Sequence, residues 1–165
     1  INDVRALQRP EALHTASSLN LPVCLTHMQN QPKTMQQQPD YKDVVAEVTE
    51  FLRQRKLLCI DAGIKSEQIL LDPGFGFGKT LEHNLSLFAA LPELAAYKHP
   101  IVVGVSRKSM IGQIINTEVN DRLIGSVTMA ILAAQKIYRA GGSMILRVHD
   151  VKETKQAIQV WQATK

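Results

Sequence analysis

Four short apolar runs recur along the chain, and each ends abruptly in polar or glycine residues. The runs are rich in valine, isoleucine and leucine and are three to five residues long. Continuous runs of this kind are typical of strands that are buried on both faces, as in parallel sheets. Residues 1–3 look like the end of a fifth strand. The four runs cover residues 22–25, 69–71, 101–105 and 144–146.

Helical periodicity fills the segments between these runs. Apolar side chains recur there at intervals of three and four residues, which predicts helices that each bury one face. Pro10 suits the first turn of a helix, and Gly63 and Gly141 suit helix ends. A polar, glutamine-rich segment over residues 29–39 is predicted to be a loop. The predicted helices cover residues 10–19, 40–62, 84–97, 121–139 and 151–163.

The alternation of strands and helices predicts an α/β fold in a single domain, residues 1–165. Strictly alternating units imply parallel strands joined by right-handed crossovers. An open doubly wound sheet and part of an eight-stranded barrel both fit this order. Five strand ends with functional groups favour the barrel, because an open sheet gathers its ligand groups at one switch point. A complete (β/α)8 TIM barrel needs about 200–250 residues. We therefore expect this chain to be its C-terminal part, with four to five parallel strands and their helices.

Charge and cysteine content restrict the class of function. The net charge is +4, but the 19 Lys and Arg residues are scattered and aromatic residues are few. A nucleic-acid footprint would be clustered, so an anionic small substrate explains the excess better. No apolar stretch is long enough to span a membrane. Cys24 and Cys59 lie in apolar segments and are predicted to be buried free thiols. Free thiols favour a cytoplasmic protein, while the scattered charge and the lack of a long apolar stretch favour one with no nucleic-acid or membrane partner.

The most specific segment follows the second run and reads DPGFGFGK, residues 72–79. Asp72 at the strand end is a fixed acceptor, and the glycines let the backbone approach a ligand closely. A carboxylate offers two parallel oxygens to a ring with adjacent N–H and NH2 donors. The alternative is an ordinary strand-to-helix turn with Asp72 as a cap. Two phenylalanines on a glycine-rich loop favour the functional interpretation.

Two further strand ends carry cations and hydroxyl groups. Ser106 and Lys108 alternate onto one face of an extended chain, while Arg107 points elsewhere. The first two could hold an anionic or carbonyl oxygen, although an ordinary solvated helix start is the alternative. The start of a helix attracts negative charge and disfavours cations, so two cations there suggest that an anion binds between them. Arg147 and His149 share a face at the last strand end and predict a phosphate site, since arginine can bind phosphate through two nitrogens.

The remaining polar residues at strand ends have simpler explanations. Asp150 is expected only to cap the last helix. None of the five histidines, His27 included, has the H-x-x-x-H spacing, which argues against a zinc site. Met28 is more simply a pocket wall. Ser106 lacks the glycine-flanked elbow of a hydrolase nucleophile.

At these residues the chain closely resembles the dihydropteroate synthase family. The sequences DPGFGFGK, SRKS and RVHD occur together, which makes the resemblance specific. Pterin-binding domains of the methyl-transfer type share the barrel and its Asn and Asp contacts, but they are not expected to carry the SRKS and RVHD pair. The matching stretches are residues 2–3, 21–28, 32–35, 70–79, 103–112 and 147–154.

The resemblance implies a homodimeric (β/α)8 barrel and a defined reaction. The family joins p-aminobenzoate to 6-hydroxymethyl-7,8-dihydropterin diphosphate in folate biosynthesis and releases pyrophosphate, with Mg²⁺. Sulfonamide drugs compete with p-aminobenzoate. No metal ligand is expected in this chain, because the family's magnesium ligand is expected in an N-terminal part that the chain lacks.

The resemblance also assigns roles to the strand-end residues. Asn2 and Asp72 would read the donor and acceptor edge of the pterin, and Met28 and Gly104 would line its slot. Lys108, Arg147 and His149 form the implied catalytic set. The other implied contacts are Lys108 with the pterin oxygen and ring nitrogen, Gly76 with substrate, Phe77 and Ser106 with aminobenzoate, and Arg147 and His149 with the diphosphate.

Some features depart from the family pattern. The first three strands and two mobile N-terminal loops are expected to be missing, so we expect the chain to bind pterin weakly rather than to turn over. Residues 135–143 look longer than usual and are predicted to hold a loop or an extra helical turn. Two alternatives stay open. One is a pterin- or corrinoid-linked methyl-transfer domain, and the other is a non-catalytic half-barrel whose exposed strand edges pair in a dimer.

Overall fold

The computed structural model describes residues 1–29 and 39–165. The predicted loop over residues 29–39 therefore lies outside the described residues except at its two ends, as does the family-matching stretch 32–35. The strands are β1 (Asn2–Asp3), β2 (Val23–Thr26), β3 (Ile69–Asp72), β4 (Ile101–Val103) and β5 (Met144–Leu146). They form one sheet in the order β1-β2-β3-β4-β5, and every neighbouring pair is parallel, as predicted.

Each strand is followed along the chain by at least one helix, so the predicted α/β alternation is confirmed. Two short 3₁₀ turns, Ser66–Gln68 and Val119–Asp121, precede β3 and the sixth helix. The helices are α1 (Ala12–Leu19), α2 (Val44–Asp61), α3 (Leu81–Ala89), α4 (Leu91–Ala95), α5 (Ser109–Ile115), α6 (Leu123–Arg139) and α7 (Val151–Ala163).

Local chemistry explains where the helices differ from the prediction. Helix α2 begins later than predicted, because the Asp43 carboxylate accepts hydrogen bonds from the N–H groups of Val45 and Ala46. The single helix predicted over 84–97 is wrong. Two helices occupy the segment, with Pro92 in the first turn of α4, and proline lacks the N–H that a continuous helix needs. Helix α5 was not predicted, and β4 ends at Val103 rather than at residue 105.

Side-chain alternation gives the sheet two different faces. On the face toward the helices, Leu25, Leu71 and Val103 are at most 1% exposed and belong to the main hydrophobic core. The opposite face is open, and Ile145 on it is 48% exposed. In a closed barrel this second face would be the interior. Its side chains line one cavity and include Asn2, Cys24, Leu70, Val102 and Ile145.

Three smaller predictions can also be compared with the structure. Cys24 and Cys59 are buried and free, as predicted. Residues 135–139 continue α6, and residues 140–143 connect it to β5; that this segment is longer than usual in the family stays a prediction. Within residues 1–29 and 39–165, no helix is long and apolar enough to cross a membrane.

Candidate active site

The candidate site lies at the carboxyl ends of the central strands, where Asp72 is the last residue of β3. Its side chain is only 1% exposed. One carboxylate oxygen accepts the N–H of Gly74 at 2.8 Å, and the other accepts Arg147 Nη2 at 2.7 Å. The predicted alternative, in which Asp72 caps a following helix, does not describe these contacts, because α3 begins at Leu81 with Thr80 as its cap.

Gly104 makes room for the Arg147 guanidinium. A Cβ atom built on Gly104, which directly follows β4, would lie 2.7 Å from Arg147 Nη2 and 3.0 Å from its Nε. Arg147 follows β5 and therefore reaches across the end of β4 to Asp72 on β3. The absence of a side chain at position 104 permits this path.

The glycine-rich loop after β3 is held by buried polar contacts. Gly74 has a φ of +69°, and a Cβ there would lie 1.8 Å from the carbonyl oxygen of His27, so only glycine fits. The Asn84 side chain, which is 3% exposed, accepts the N–H of Gly76 at 2.7 Å and donates to the carbonyl of Thr80 at 2.6 Å. Asn84 therefore fastens the loop to the start of α3.

The two phenylalanines of the loop differ in role. Phe75 is 0% exposed and packs near Phe88 in the core, with ring centroids 6.1 Å apart. Phe77 is half-buried, and the Lys108 ammonium lies 4.7 Å from the centroid of its ring. Lys108 also donates a hydrogen bond to the carbonyl of Phe75. Of the two, Phe77 is the one that remains accessible to a ligand.

Four ionisable side chains, those of Asp72, Lys79, Lys108 and Arg147, lie close enough here to influence one another. Burial lowers the pKa of Lys108 to about 8, with Asp72 raising it and Arg147 lowering it further. Burial likewise lowers the pKa of Lys79 to about 7, against the effect of Asp72 and together with that of Lys108. One carboxylate is thus surrounded by three basic side chains.

Ser106 and His149 connect the loops that follow β4 and β5. The His149 N–H donates to Ser106 Oγ at 3.2 Å, and the imidazole Nδ1 lies 3.1 Å from the same oxygen. Ser106 is 4% exposed, whereas His149 is exposed. Strand alternation paired Ser106 with Lys108 and Arg147 with His149. The structure instead joins Ser106 to His149 and Arg147 to Asp72.

The expectation that Asp150 only caps the last helix is wrong. Asp150 precedes α7 but makes no side-chain capping hydrogen bond. Its carboxylate instead binds Arg107, with Nε to Oδ2 at 2.9 Å and Nη2 to Oδ1 at 2.6 Å. The guanidinium neutralises the carboxylate and competes with the helix N–H groups for it. Arg107 thus has a different side-chain partner from Ser106, which contacts His149, and from Lys108, which contacts the Phe75 carbonyl.

A buried pair, Lys79 and His27, belongs to the same region but was not predicted as part of the site. Lys79 Nζ is 2.9 Å from His27 Nδ1 and donates to the carbonyls of Gly74 at 3.0 Å and Phe77 at 3.1 Å. The two side chains are 4% and 7% exposed. Burial, followed by the nearby Lys79, lowers the pKa of His27 to about 3. The only sequence signal is Lys79 at the end of the glycine-rich motif, where a lysine ordinarily faces solvent.

Two predicted site residues lie farther from this cluster. Asn2 is exposed on the edge strand β1, and it lines the cavity of the open sheet face together with Arg147. Met28 is half-buried and lines a different cavity, with Arg9 and Phe51. The pterin contacts implied for Asn2 and Met28 stay predictions.

The described residues do not by themselves form a metal site. Within residues 1–29 and 39–165, no group of three His, Cys, Asp or Glu side chains could hold a metal ion. Asp72 is the carboxylate of this cluster, and its charged neighbours there are the basic side chains of Lys79, Lys108 and Arg147 rather than further metal ligands. The described part of the chain therefore supplies no complete set of protein ligands for magnesium.

Comparison with protein families matches residues 1–149 to the family described as pterin binding enzyme. The chain belongs to the pterin binding enzyme family. Within this family, the dihydropteroate synthase of Escherichia coli K12 is 52% identical over 99% of the chain and 56% of its own length. That of Haemophilus influenzae is 51% identical over 99% of the chain and 58% of its own length. The chain thus spans somewhat more than half the length of these relatives.

Solved structures of the same family superimpose closely. The Yersinia pestis dihydropteroate synthase with a sulfonamide drug complex has a TM-score of 0.92 at 49% identity, over 99% of the chain and 58% of that protein. The Xanthomonas albilineans dihydropteroate synthase in complex with 7,8-dihydropteroate has a TM-score of 0.89 at 44% identity, with the same coverage. These similarities confirm the predicted resemblance and the predicted fold, in which the five-stranded sheet is part of the pterin-binding barrel.

Proposed function

We propose that this chain carries the pterin- and aminobenzoate-binding part of a dihydropteroate synthase of folate biosynthesis. The observation that carries the proposal is the charge of the strand-end cluster, where Asp72 lies among Lys79, Lys108 and Arg147. An excess of positive charge around a pocket attracts anions. Both proposed substrates are anionic, since one carries a diphosphate and the other a carboxylate.

In this proposal Asp72 binds the pterin ring. Its carboxylate is held in place by Gly74 and Arg147, so its orientation is set before a ligand arrives. A fixed carboxylate matches the adjacent N–H and NH2 donors of a pterin edge. Asn2, Met28 and Gly104 complete the slot in the same proposal, and Gly76 contributes backbone from the glycine-rich loop.

The basic side chains and the exposed ring of Phe77 bind the rest of the substrates. Arg147 keeps 40% of its side chain exposed although it pairs with Asp72, so it can still meet the diphosphate, beside His149. Lys108 lies against Phe77, where the flat ring offers a surface for p-aminobenzoate or a sulfonamide. Ser106 lies near the aminobenzoate carboxylate.

The reaction consists of a single displacement at the methylene carbon of the pterin. The amine of p-aminobenzoate forms a C–N bond to this carbon while the C–O bond to the diphosphate breaks. The diphosphate leaves with the electron pair, and the amine loses one proton to solvent. Arg147 and His149 stabilise the charge that develops on the leaving group. Because an aromatic amine is already a competent nucleophile, positioning can replace a strong base.

The proposal extends to the cellular setting of the enzyme. We propose a cytoplasmic homodimer whose partners are the two substrates, with sulfonamides as competitors. Magnesium stays a prediction, with its protein ligand expected in the part of the relatives that this chain does not cover. The whole reaction is proposed for a protein with the full length of those relatives, and binding is proposed for this chain.

Calorimetry tests the binding step directly. The chain is titrated with 6-hydroxymethyl-7,8-dihydropterin diphosphate and then with a sulfonamide. We expect Lys108→Ala to weaken both affinities by on the order of tenfold or more. Lys65→Ala is the matched control, because Lys65 is exposed and precedes β3 at the opposite end of the strand. No binding by the unaltered chain, or equal affinity of Lys108→Ala and Lys65→Ala, would reject the proposal.

The same experiment separates the methyl-transfer alternative. A methyl-transfer domain would bind a reduced pterin without a diphosphate as tightly as one with it, and His149→Ala would leave both affinities unchanged. A dihydropteroate synthase should lose affinity only for the diphosphate form in His149→Ala. Light scattering of the chain addresses the third alternative, since a well-behaved monomer would count against a half-barrel that is stable only as a dimer.

A further inference from the structure

The loop after β4 contains a backbone conformation that needs support. Arg107 has a φ of +55°, and non-glycine residues adopt this left-handed conformation only where their surroundings hold them there. Two site residues, Ser106 and Lys108, are its immediate neighbours in the chain. Whatever holds Arg107 therefore also sets the direction in which both neighbours leave the turn.

Helix α6 and the residue before it hold the backbone of Arg107. The N–H of Arg107 donates to Ser126 Oγ at 2.9 Å, and its carbonyl accepts Arg122 Nη1 at 3.0 Å. Ser126 is 3% exposed and donates in turn to the Arg122 carbonyl at 2.6 Å. The Arg122 guanidinium lies where a Cβ on Gly112 would be, at 2.4 Å. Both hydrogen-bonding groups of the Arg107 backbone are thus fixed from outside the loop.

The Arg107 side chain adds a connection to the next strand end. Its guanidinium binds both oxygens of Asp150, at 2.9 and 2.6 Å. The two side chains are 27% and 14% exposed, so water screens this pair less than it screens a surface pair. A two-point contact between planar groups also fixes their relative orientation, which a single contact cannot do.

The ion pair is placed between groups of the proposed active site. Arg107 is flanked by Ser106 and Lys108, and Asp150 directly follows His149. The hydrogen bonds between Ser106 and His149 lie beside it. Arg107 and Asp150 satisfy each other through two hydrogen bonds. The ion pair therefore joins the loops that follow β4 and β5, next to residues of the proposed site.

We propose that the Arg107–Asp150 ion pair is a positioning element of the active site, which holds the loops after β4 and β5 in register so that Ser106, Lys108 and His149 point at the substrates. It touches no substrate. The inference rests on the proposed function for its catalytic consequence, although the positioning of His149 can be measured without any ligand.

The primary test is nitrogen NMR of the His149 imidazole in the unaltered chain, Arg107→Met and Asp150→Asn. A His149→Gln variant assigns the signal. We expect both substitutions to change the Nδ1 chemical shift of His149, because its contact with Ser106 loosens. Arg53→Met is the matched control, since it removes another two-point arginine–carboxylate pair, that with Glu50 on α2, and should leave the signal unchanged.

Sulfonamide binding is measured on the same variants below their unfolding temperatures. We expect Arg107→Met and Asp150→Asn each to weaken it by on the order of tenfold to a hundredfold. The double variant should bind the sulfonamide as tightly as either single variant, since both substitutions remove the same contact. Arg107→Lys keeps the charge but not the two-point contact, and should behave like Arg107→Met.

The outcomes distinguish the inference from the proposed function. Unchanged His149 signals in both variants would overturn the inference, even if their thermal stability fell, because the ion pair would then be merely structural. Full recovery by Arg107→Lys would also overturn it, since charge rather than orientation would be responsible. If the unaltered chain bound no sulfonamide, the proposed function would fail, while the His149 signals would still decide the positioning role.

Discussion

Arg147, directly after β5, pairs with Asp72 at the end of β3 by reaching over the end of β4 between them. The two side chains are 75 residues apart in the sequence, and Arg147 Nη2 donates to Asp72 Oδ2 at 2.7 Å. The pair is unequal, because the carboxylate is 1% exposed and the guanidinium side chain 40% exposed. Loss of one partner should therefore not have the same effect as loss of the other.

Arg147→Met should destabilise the chain more than Asp72→Asn. The first substitution leaves a buried carboxylate without its cation, and we expect the free energy of unfolding to fall by roughly 2–4 kcal/mol. The second leaves a guanidinium that water can reach, and an amide oxygen that can still accept the Gly74 N–H. We expect it to cost about 1 kcal/mol. Urea unfolding measures both values, and equal or reversed losses would contradict the asymmetry.

Gly104→Ala should act through Arg147. The new Cβ would lie 2.7 Å from Arg147 Nη2, so the guanidinium must move away from Asp72. We expect a loss of about 1–3 kcal/mol in the free energy of unfolding. The control is the same substitution in an Arg147→Met background, where the clash is absent and the added loss should nearly vanish. Additive losses in the double variant would show that Gly104 matters for another reason.

Asn84→Ala should loosen the glycine-rich loop. It removes the acceptor of the Gly76 N–H and the donor to the Thr80 carbonyl, and Asn84, which makes both contacts, is itself buried. We expect the free energy of unfolding to fall by about 1–3 kcal/mol. Glu82→Ala on the exposed side of the same helix is the control. A loss no larger than that of the control would mean that the loop is held by other contacts.

His27 should make the chain sensitive to acid. Its pKa is about 3 in the folded chain against an ordinary value of 6.5. Between pH 6.5 and 3 the unfolded chain therefore binds a proton that the folded chain does not. The free energy of unfolding should fall by about 1.4 kcal/mol per pH unit from this group as the pH decreases.

His27→Gln should remove this part of the pH dependence. Urea unfolding between pH 4 and 6 measures the slope, and the other groups of the protein contribute equally to both chains. His14→Gln serves as the control, because His14 is exposed on α1. If His14→Gln reduced the pH dependence of the free energy of unfolding as much as His27→Gln, burial of His27 would not be its cause.

Much of the fold could be predicted from local patterns. Apolar runs predicted strands β2 to β5, and residues 1–3 predicted the end of β1. The runs suggested burial on both faces, but Ile145 of β5 is 48% exposed on the open face of the sheet. Periodicity predicted four helices within a few residues. Periodicity missed the break before Pro92, and it missed α5, whose first residue, Ser109, is the last residue of the SRKS motif. In the first place the helical spacing of apolar residues continued past the break, and in the second the site residues of the SRKS motif drew attention away from the helix that begins there.

The partners within the site could not be predicted in the same way. Alternation along an extended chain paired Ser106 with Lys108, but β4 ends at Val103 and Arg107 has a positive φ. Past that point the alternation no longer holds. Ser106 consequently meets His149, and Lys108 meets the Phe75 carbonyl and the Phe77 ring.

The sequence by itself determined the fold class, the parallel order of the strands and the edge of the sheet at which the functional groups gather. Those properties follow from residue type and spacing, which are local. Only the tertiary structure decided that Arg147 crosses Gly104 to reach Asp72 and that Lys79 and His27 share a buried contact. Ion pairing and the desolvation of charged groups depend on side chains that come from distant strands and pack together in the folded chain.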